Sequence, residues 1–180
     1  MFTIKKFVFN PIQENTYVVH DETKEAVIID CGAFYHEERI ALKNYISEHG
    51  LQLKHLLCTH GHLDHAGGIG SFEKIYASER DFDMIKSINA EELRGYCDNL
   101  GKQGAYNVFD FSPETIKQIE IFPEMVNVDD GYVFDLGGRT LPEANIIGNR
   151  PMTIANEVIK IGRRRAAAPK TADHEMAIPV

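Results

Sequence analysis

The chain has 180 residues, of which 43% are hydrophobic, and carries 27 acidic against 19 basic side chains for a formal charge of -8. That size and composition fit one soluble domain with a real core, and the acidic balance argues against a nucleic-acid partner. No stretch is long and apolar enough to span a bilayer, and the opening Met1 to Phe9, interrupted by Lys5 and Lys6, lacks the form of a secretory leader. Cys31, Cys58 and Cys97 are odd in number and irregularly spaced, so no disulfide framework is expected and a cytoplasmic location follows.

In chain order, Phe2 to Phe9 alternates loosely, Thr16 to Val19 is β-branched and aromatic, and Ala26 to Asp30 is a short apolar run, which predicts three early strands. Leu42, Tyr45, Ile46 and His49 follow helical spacing within residues 37–49, and Gly50 supplies a left-handed stop. Leu53 to Cys58 reads as a buried strand, with Cys58 as core. Ile75 to Ala77 predicts another strand, and Ser78 caps a helix that starts at Glu79. Residues 90–120 read as helices and loops containing Tyr96, Tyr106, Phe109 and Phe111, a local packing cluster with a pocket lid as the alternative. After the turn signal Asp129-Asp130-Gly131, Tyr132 to Leu136 and Arg139 to Leu141 form a predicted hairpin. Thr153 to Ile161 offers one more strand. The basic, alanine-rich Arg163 to Lys170 reads as part of a solvated tail, so the expected organisation is a domain over 1–162 followed by a tail over 163–180.

The densest chemistry lies in Cys58-Thr59-His60-Gly61-His62-Leu63-Asp64-His65-Ala66-Gly67-Gly68. Three imidazoles and a carboxylate in one loop make a transition-metal site the leading reading, because these are the donors that zinc and its neighbours prefer. The loop follows a strand that itself follows a helix crossover, where α/β folds tend to gather ligands. In an extended segment residues i and i+2 project to the same side, so His60 and His62 can grip one ion across the small Gly61. A helical turn after them would bring Asp64 and His65 to a second position roughly 4 Å away, the spacing of hydrolytic two-metal sites.

This run resembles the T-H-x-H-x-D-H motif of the metallo-β-lactamase fold superfamily, particularly its small glyoxalase II-like, hydroxyacylglutathione hydrolase-like members. Gln13 to Val18 resembles the family's early strand, Val27 to Gly32 the strand that ends in its D-x-G turn, and Asp129 to Leu141 the hairpin that opens its second half. The resemblance covers about residues 1–77 and 127–141 and implies an α/β (α+β) fold, a metallo-β-lactamase-like αββα sandwich with a divergent C-terminal part. It further implies zinc, as one or two ions, held by His60, His62, Asp64 and His65, with Asp64 in the catalytic set and a bridging hydroxide that attacks an acyl carbonyl. Where the family places G-H-T-P-G-S, this chain reads Gly148-Asn149-Arg150-Pro151-Met152-Thr153, so Asn149 stands in the position of a histidine ligand. The family's later bridging aspartate and last histidine have no clear counterpart. Asp173 and His174 read as polar tail, with a fold-back of Asp173 onto the metal as the alternative.

The expected activity is metal-dependent hydrolysis of a thioester, ester or lactone, with a small-molecule acyl substrate and neither nucleic acid nor membrane as partner. A catalytically impaired or non-catalytic metal-binding homologue is one alternative, argued from Asn149. A mononuclear iron persulfide dioxygenase is another, because two histidines and one carboxylate suit Fe(II). A nuclease fits the charge least well.

Overall fold

The computed structural model describes residues 2–102, 112–128, 134–136 and 139–141. A six-stranded sheet runs in the order β1-β2-β3-β4-β5-β6, comprising Thr3–Phe9, Glu14–His20, Glu25–Ile29, Gln52–Leu57, Lys74–Ala77 and Glu124–Asn127. The first three strands pair antiparallel, which short turns permit, and β3 to β6 pair parallel across helical crossovers. A second, two-stranded sheet pairs β7 (Phe134–Leu136) antiparallel with β8 (Arg139–Leu141). The predicted early strands, the fourth and fifth strands and the described part of the hairpin are therefore present.

Both faces of the large sheet are buried, which explains why the central strands are continuous apolar runs. Val18, Ala26, Ile28, Leu56 and Ile75 face one core together with Leu42 and Ile46 of α1 (His36–Glu48), Ile85 of α3 (Glu79–Ser87), Leu93 of α4 (Ala90–Lys102) and Ile119 of α5 (Pro113–Ile119). Tyr17, Val19, Val27, Ile29 and Leu57 point the other way and pack with Val128 and with Leu136 of β7. Strand alternation thus distributes neighbouring residues between two cores. A helical layer covers the first face, and β7 meets the second beside β3, which is the αββα sandwich expected of the sequence.

Several local features depart from expectation. The second strand begins at Glu14 rather than Thr16, because its pairing with β1 continues to Phe9 opposite Glu14. On α1, Arg39 joins Leu42 and Ile46 inside, whereas His49 ends the helix as its cap and is exposed. The Arg39 guanidinium is satisfied by the Phe34 carbonyl and faces Glu114 at 3.4 Å. Strand β6 was not anticipated: Glu-Met-Val-Asn is short and only partly buried, and it is defined by parallel pairing with β5. Ser78 does cap α3, its Oγ accepting from the Arg80 N–H at 3.4 Å. The turn at 129–131, the strand at 153–161, the domain boundary at 162 and the basic tail lie outside the described residues, as do Tyr106, Phe109 and Phe111.

Candidate metal centre

Parallel pairing of β3 with β4 brings the carboxyl ends of both strands to one edge of the sheet. Asp30 follows β3 in a left-handed conformation, φ 58°, and its N–H reaches the Leu57 carbonyl at 2.7 Å. The loop after β4 folds back over it: the Cys31 N–H bonds the His65 carbonyl, and the Gly68 N–H bonds the Cys31 carbonyl, each at 2.8 Å. Gly32 is needed for this closeness, since a Cβ there would lie 2.3 Å from the Asp64 carbonyl oxygen and 2.4 Å from Glu14 Oε2. The β1–β2 turn adds a strut, with the Asn10 side-chain amide donating to the Gly32 carbonyl at 3.1 Å and to the Asp64 carbonyl at 3.0 Å.

Within this frame the four loop residues are neighbours, but among the described residues only His65 of the four joins a group of three donors within 4.8 Å of one another. The His60 ring centroid lies 4.6 Å from that of His62 and 4.1 Å from that of His65. His65 Nε2 is 3.4 Å from Asp64 Oδ2. Leu63–Ala66 forms the helical turn α2 that carries Asp64 and His65 toward the two histidines before it. On the other side, Asp81 of α3 accepts the Gly61 N–H at 3.1 Å, and Cys58 Sγ donates to the His60 carbonyl. Cys58 is buried, and burial pushes its thiol well up, so it is core rather than a reactive group.

The fully buried Asp30 organises the centre. One oxygen accepts the Thr59 N–H at 2.7 Å, both are within 3.0 Å of the Thr59 hydroxyl, and Oδ2 also faces His65 Nδ1 at 3.0 Å. The Thr59 hydroxyl has one proton, which goes to the carboxylate; its lone pair can then accept from His60 Nδ1 at 2.9 Å. This network assigns Nδ1–H to both rings and directs both Nε2 atoms away from Asp30. A carboxylate behind each histidine, direct for His65 and through Thr59 for His60, is how proteins hold imidazoles for metal binding.

Charge at the site is predominantly negative. Glu14 is buried, and burial together with Asp30 raises its carboxyl to about 8, with Thr16 and His65 opposing. Burial pulls the His65 imidazole down, but its hydrogen bond to Asp30 and the charges of Asp30, Asp64 and Glu14 outweigh that and leave it raised. His60 is lowered by burial and by His65. Glu14, Asp30 and His65 offer ligand atoms that all lie within 4.8 Å of one another, close enough to share a cation. Because the Asp30 lone pairs are already committed to Thr59 and His65, Asp30 is better suited to orienting a ligand than to being one. Glu14 Oε1 and Asp64 Oδ1 are buried and find no hydrogen-bond partner among the described residues. Buried carboxylate oxygens are rarely left so, and a divalent cation satisfies them, so the donor set fits a metal ion.

Glu14 had no assigned role in the sequence reading, although an acid inside an otherwise β-branched and aromatic strand is a signal of special use. Tyr96, assigned to a packing cluster, does pack on the main core. Asn149, Asp173 and His174 lie outside the described residues.

With this geometry in place, comparison with known proteins is informative. Residues 9–78 match the sequence model of the Metallo-beta-lactamase superfamily. Hydroxyacylglutathione hydrolase GloC of Haemophilus influenzae is 40% identical over 94 residues, covering 49% of this chain and 42% of that protein. An uncharacterized protein of Aquifex aeolicus is 35% identical over 101 residues, covering 54% of this chain and 45% of that protein. The matched stretches thus span less than half the length of these curated relatives. Among solved structures, a metallo-beta-lactamase family protein of Thermus thermophilus superposes with a TM-score of 0.53 at 20% identity, over 77% of this chain and 49% of that one. The chain has the metallo-beta-lactamase superfamily fold, with a potential metal-binding site at the edge where its parallel strands end.

Proposed function

We propose that this chain is a zinc-dependent hydrolase of a thioester, ester or lactone, with His60, His62, Asp64 and His65 as ligands and Asp64 in the catalytic set. The observation that carries this reading is the group formed by Glu14, Asp30 and His65, whose ligand atoms lie within 4.8 Å of one another, with the His60 ring packed 4.1 Å from that of His65 and Asp64 Oδ2 3.4 Å from His65 Nε2. A divalent cation bound there supplies Lewis-acid polarisation of an acyl carbonyl and activation of water at neutral pH. The chain's part is preorganisation: Asp30 and Thr59 fix two imidazole tautomers, Gly61 lets the loop lie flat on α3, and the Asp64 carboxylate stands beside His65 Nε2. The name of the Haemophilus relative, a hydroxyacylglutathione hydrolase, supports a thioester as the first substrate to try. Asp173 is kept as an additional ligand in this proposal, delivered from the C-terminal part. Three cysteines without disulfide partners favour the reducing cytoplasm as the place of action.

Elemental analysis of the purified protein and an assay on a generic thioester test the proposal together. One or two zinc ions per chain are expected, and His62→Ala should lose most of the metal and the hydrolysis with it. Unchanged metal content in that variant would remove the basis for the site. The same donors suit Fe(II), so iron in place of zinc, with oxygen consumed on a persulfide, would move the chain to oxygenase chemistry.

A further inference from the structure

We propose that Asn10 is a positioning residue of the metal centre: its carboxamide staples the helical turn that carries Asp64 and His65 to the turn that follows β3, and so sets where those two donors stand. This rests on the metal-dependent reading above and goes beyond it, because Asn10 lies in the β1–β2 turn, 54 residues before Asp64, and is not itself a metal donor.

The α2 turn has four residues, too few to satisfy its own last carbonyls. The N–H four residues beyond Asp64 belongs to Gly68, and it goes to the Cys31 carbonyl at 2.8 Å. The Asp64 carbonyl therefore depends on a donor from elsewhere. Asn10 supplies it, one Nδ2 hydrogen reaching the Asp64 carbonyl at 3.0 Å and the other the Gly32 carbonyl at 3.1 Å. Only one orientation of the amide works, because both of those partners are acceptors and Asn10 Oδ1 takes the Ile12 N–H at 3.1 Å. The staple is itself anchored. The Asn10 main-chain N–H bonds Glu38 Oε1 at 2.5 Å, and the other oxygen of that carboxylate accepts the Tyr35 N–H at 3.1 Å at the start of α1. Asn10 is buried, and its φ of 48° lies in the left-handed region, which asparagine enters more readily than most residues with a side chain. A fixed amide thus joins two turns that no element of secondary structure connects directly. Outer-shell hydrogen bonds around a metal site usually contribute one to two orders of magnitude to metal affinity.

Asn10→Asp keeps the size, the tolerance of a left-handed backbone and the bond to Ile12, but replaces the two donors with an acceptor that faces two carbonyls. Zinc affinity measured by competition with a chromophoric chelator should fall about 10- to 100-fold, and the visible bands of the Co(II)-loaded protein should shift. Leu53→Ala controls for stability: Leu53 is buried and pairs with Ala26, at the end of β4 away from the loop, so this variant should lower the denaturation midpoint and leave the Co(II) bands in place. Wild-type affinity and an unaltered spectrum in Asn10→Asp would overturn the proposal, as would the same band shift in Leu53→Ala. If Asn10→Asp does not fold, the wild-type chain still decides: with 15N-labelled asparagine, the Asn10 side-chain amide resonances should move as zinc is titrated in, and stationary resonances overturn the role. His62→Ala, run alongside, separates the two readings. Zinc binding lost in His62→Ala but intact in Asn10→Asp sinks the positioning role alone. A wild-type chain that takes up no zinc sinks both.

Discussion

Gly61 separates His60 from His62 and has no room for a side chain. A Cβ there would stand 2.9 Å from Met84 Cβ, 3.0 Å from the Asp81 carbonyl oxygen and 3.2 Å from Ile85 Cγ1, so α3 forms the floor under the loop. Gly61→Ala should therefore lift the loop off α3, costing about 1 to 3 kcal/mol by overpacking and weakening zinc binding; chemical denaturation and chelator competition would measure the two effects. Replacement without change in either would mean that the loop's seat on α3 is unimportant. The loop residues themselves stood out as candidates because three histidines and an aspartate at short spacing are a donor set suited to a metal. Glu14 and Asp30 were harder to assign, since their importance comes from meeting His65, which is 51 and 35 residues away along the chain.

Among the elements, β4 illustrates how a strand's environment sets the chemistry of one side chain. Its apolar run is sandwiched between two cores, and His55 is caught between neighbouring strands with its ring edge-on to Tyr76 at 5.0 Å. Burial and then the adjacent Lys54 push the imidazole down to about 4 from 6.5, against the pull of Glu25. The sign follows from proton linkage: between 4 and 6.5 the unfolded chain binds more protons than the folded one, so stability is lost as pH falls through that window. In the metal-free protein the His55 contribution alone is about 1 to 2 kcal/mol less favourable at pH 5 than at pH 7, while Glu14, raised to about 8, acts with the opposite sign over the same window. His55→Phe should flatten that part of the profile in urea titrations; an equal slope in the variant would assign it to other groups. The strand was legible from its hydrophobic pattern, whereas β6 was not, because four half-exposed residues acquire strand geometry from β5 rather than from their own preference.

For the molecule as a whole, the second core is what makes a sandwich of the sheet. Leu136 is fully buried against Ile29, Val27 and their neighbours, so β7 closes a face that would otherwise be apolar and wet. Leu136→Ala should destabilise the protein by about 2 to 5 kcal/mol, read as a fall in the denaturation midpoint. Unaltered stability would show that the two sheets do not depend on each other. The fold class, the early strands, the main helices and the donor-rich loop could be read along the chain, since each depends on local periodicity, capping or donor density. Asp30's hold on two histidines, Glu14's buried carboxyl and the seat of Gly61 on α3 came from the packed chain. They are contacts between segments far apart in sequence, and parallel strand pairing and helix packing are what bring those segments to the same edge.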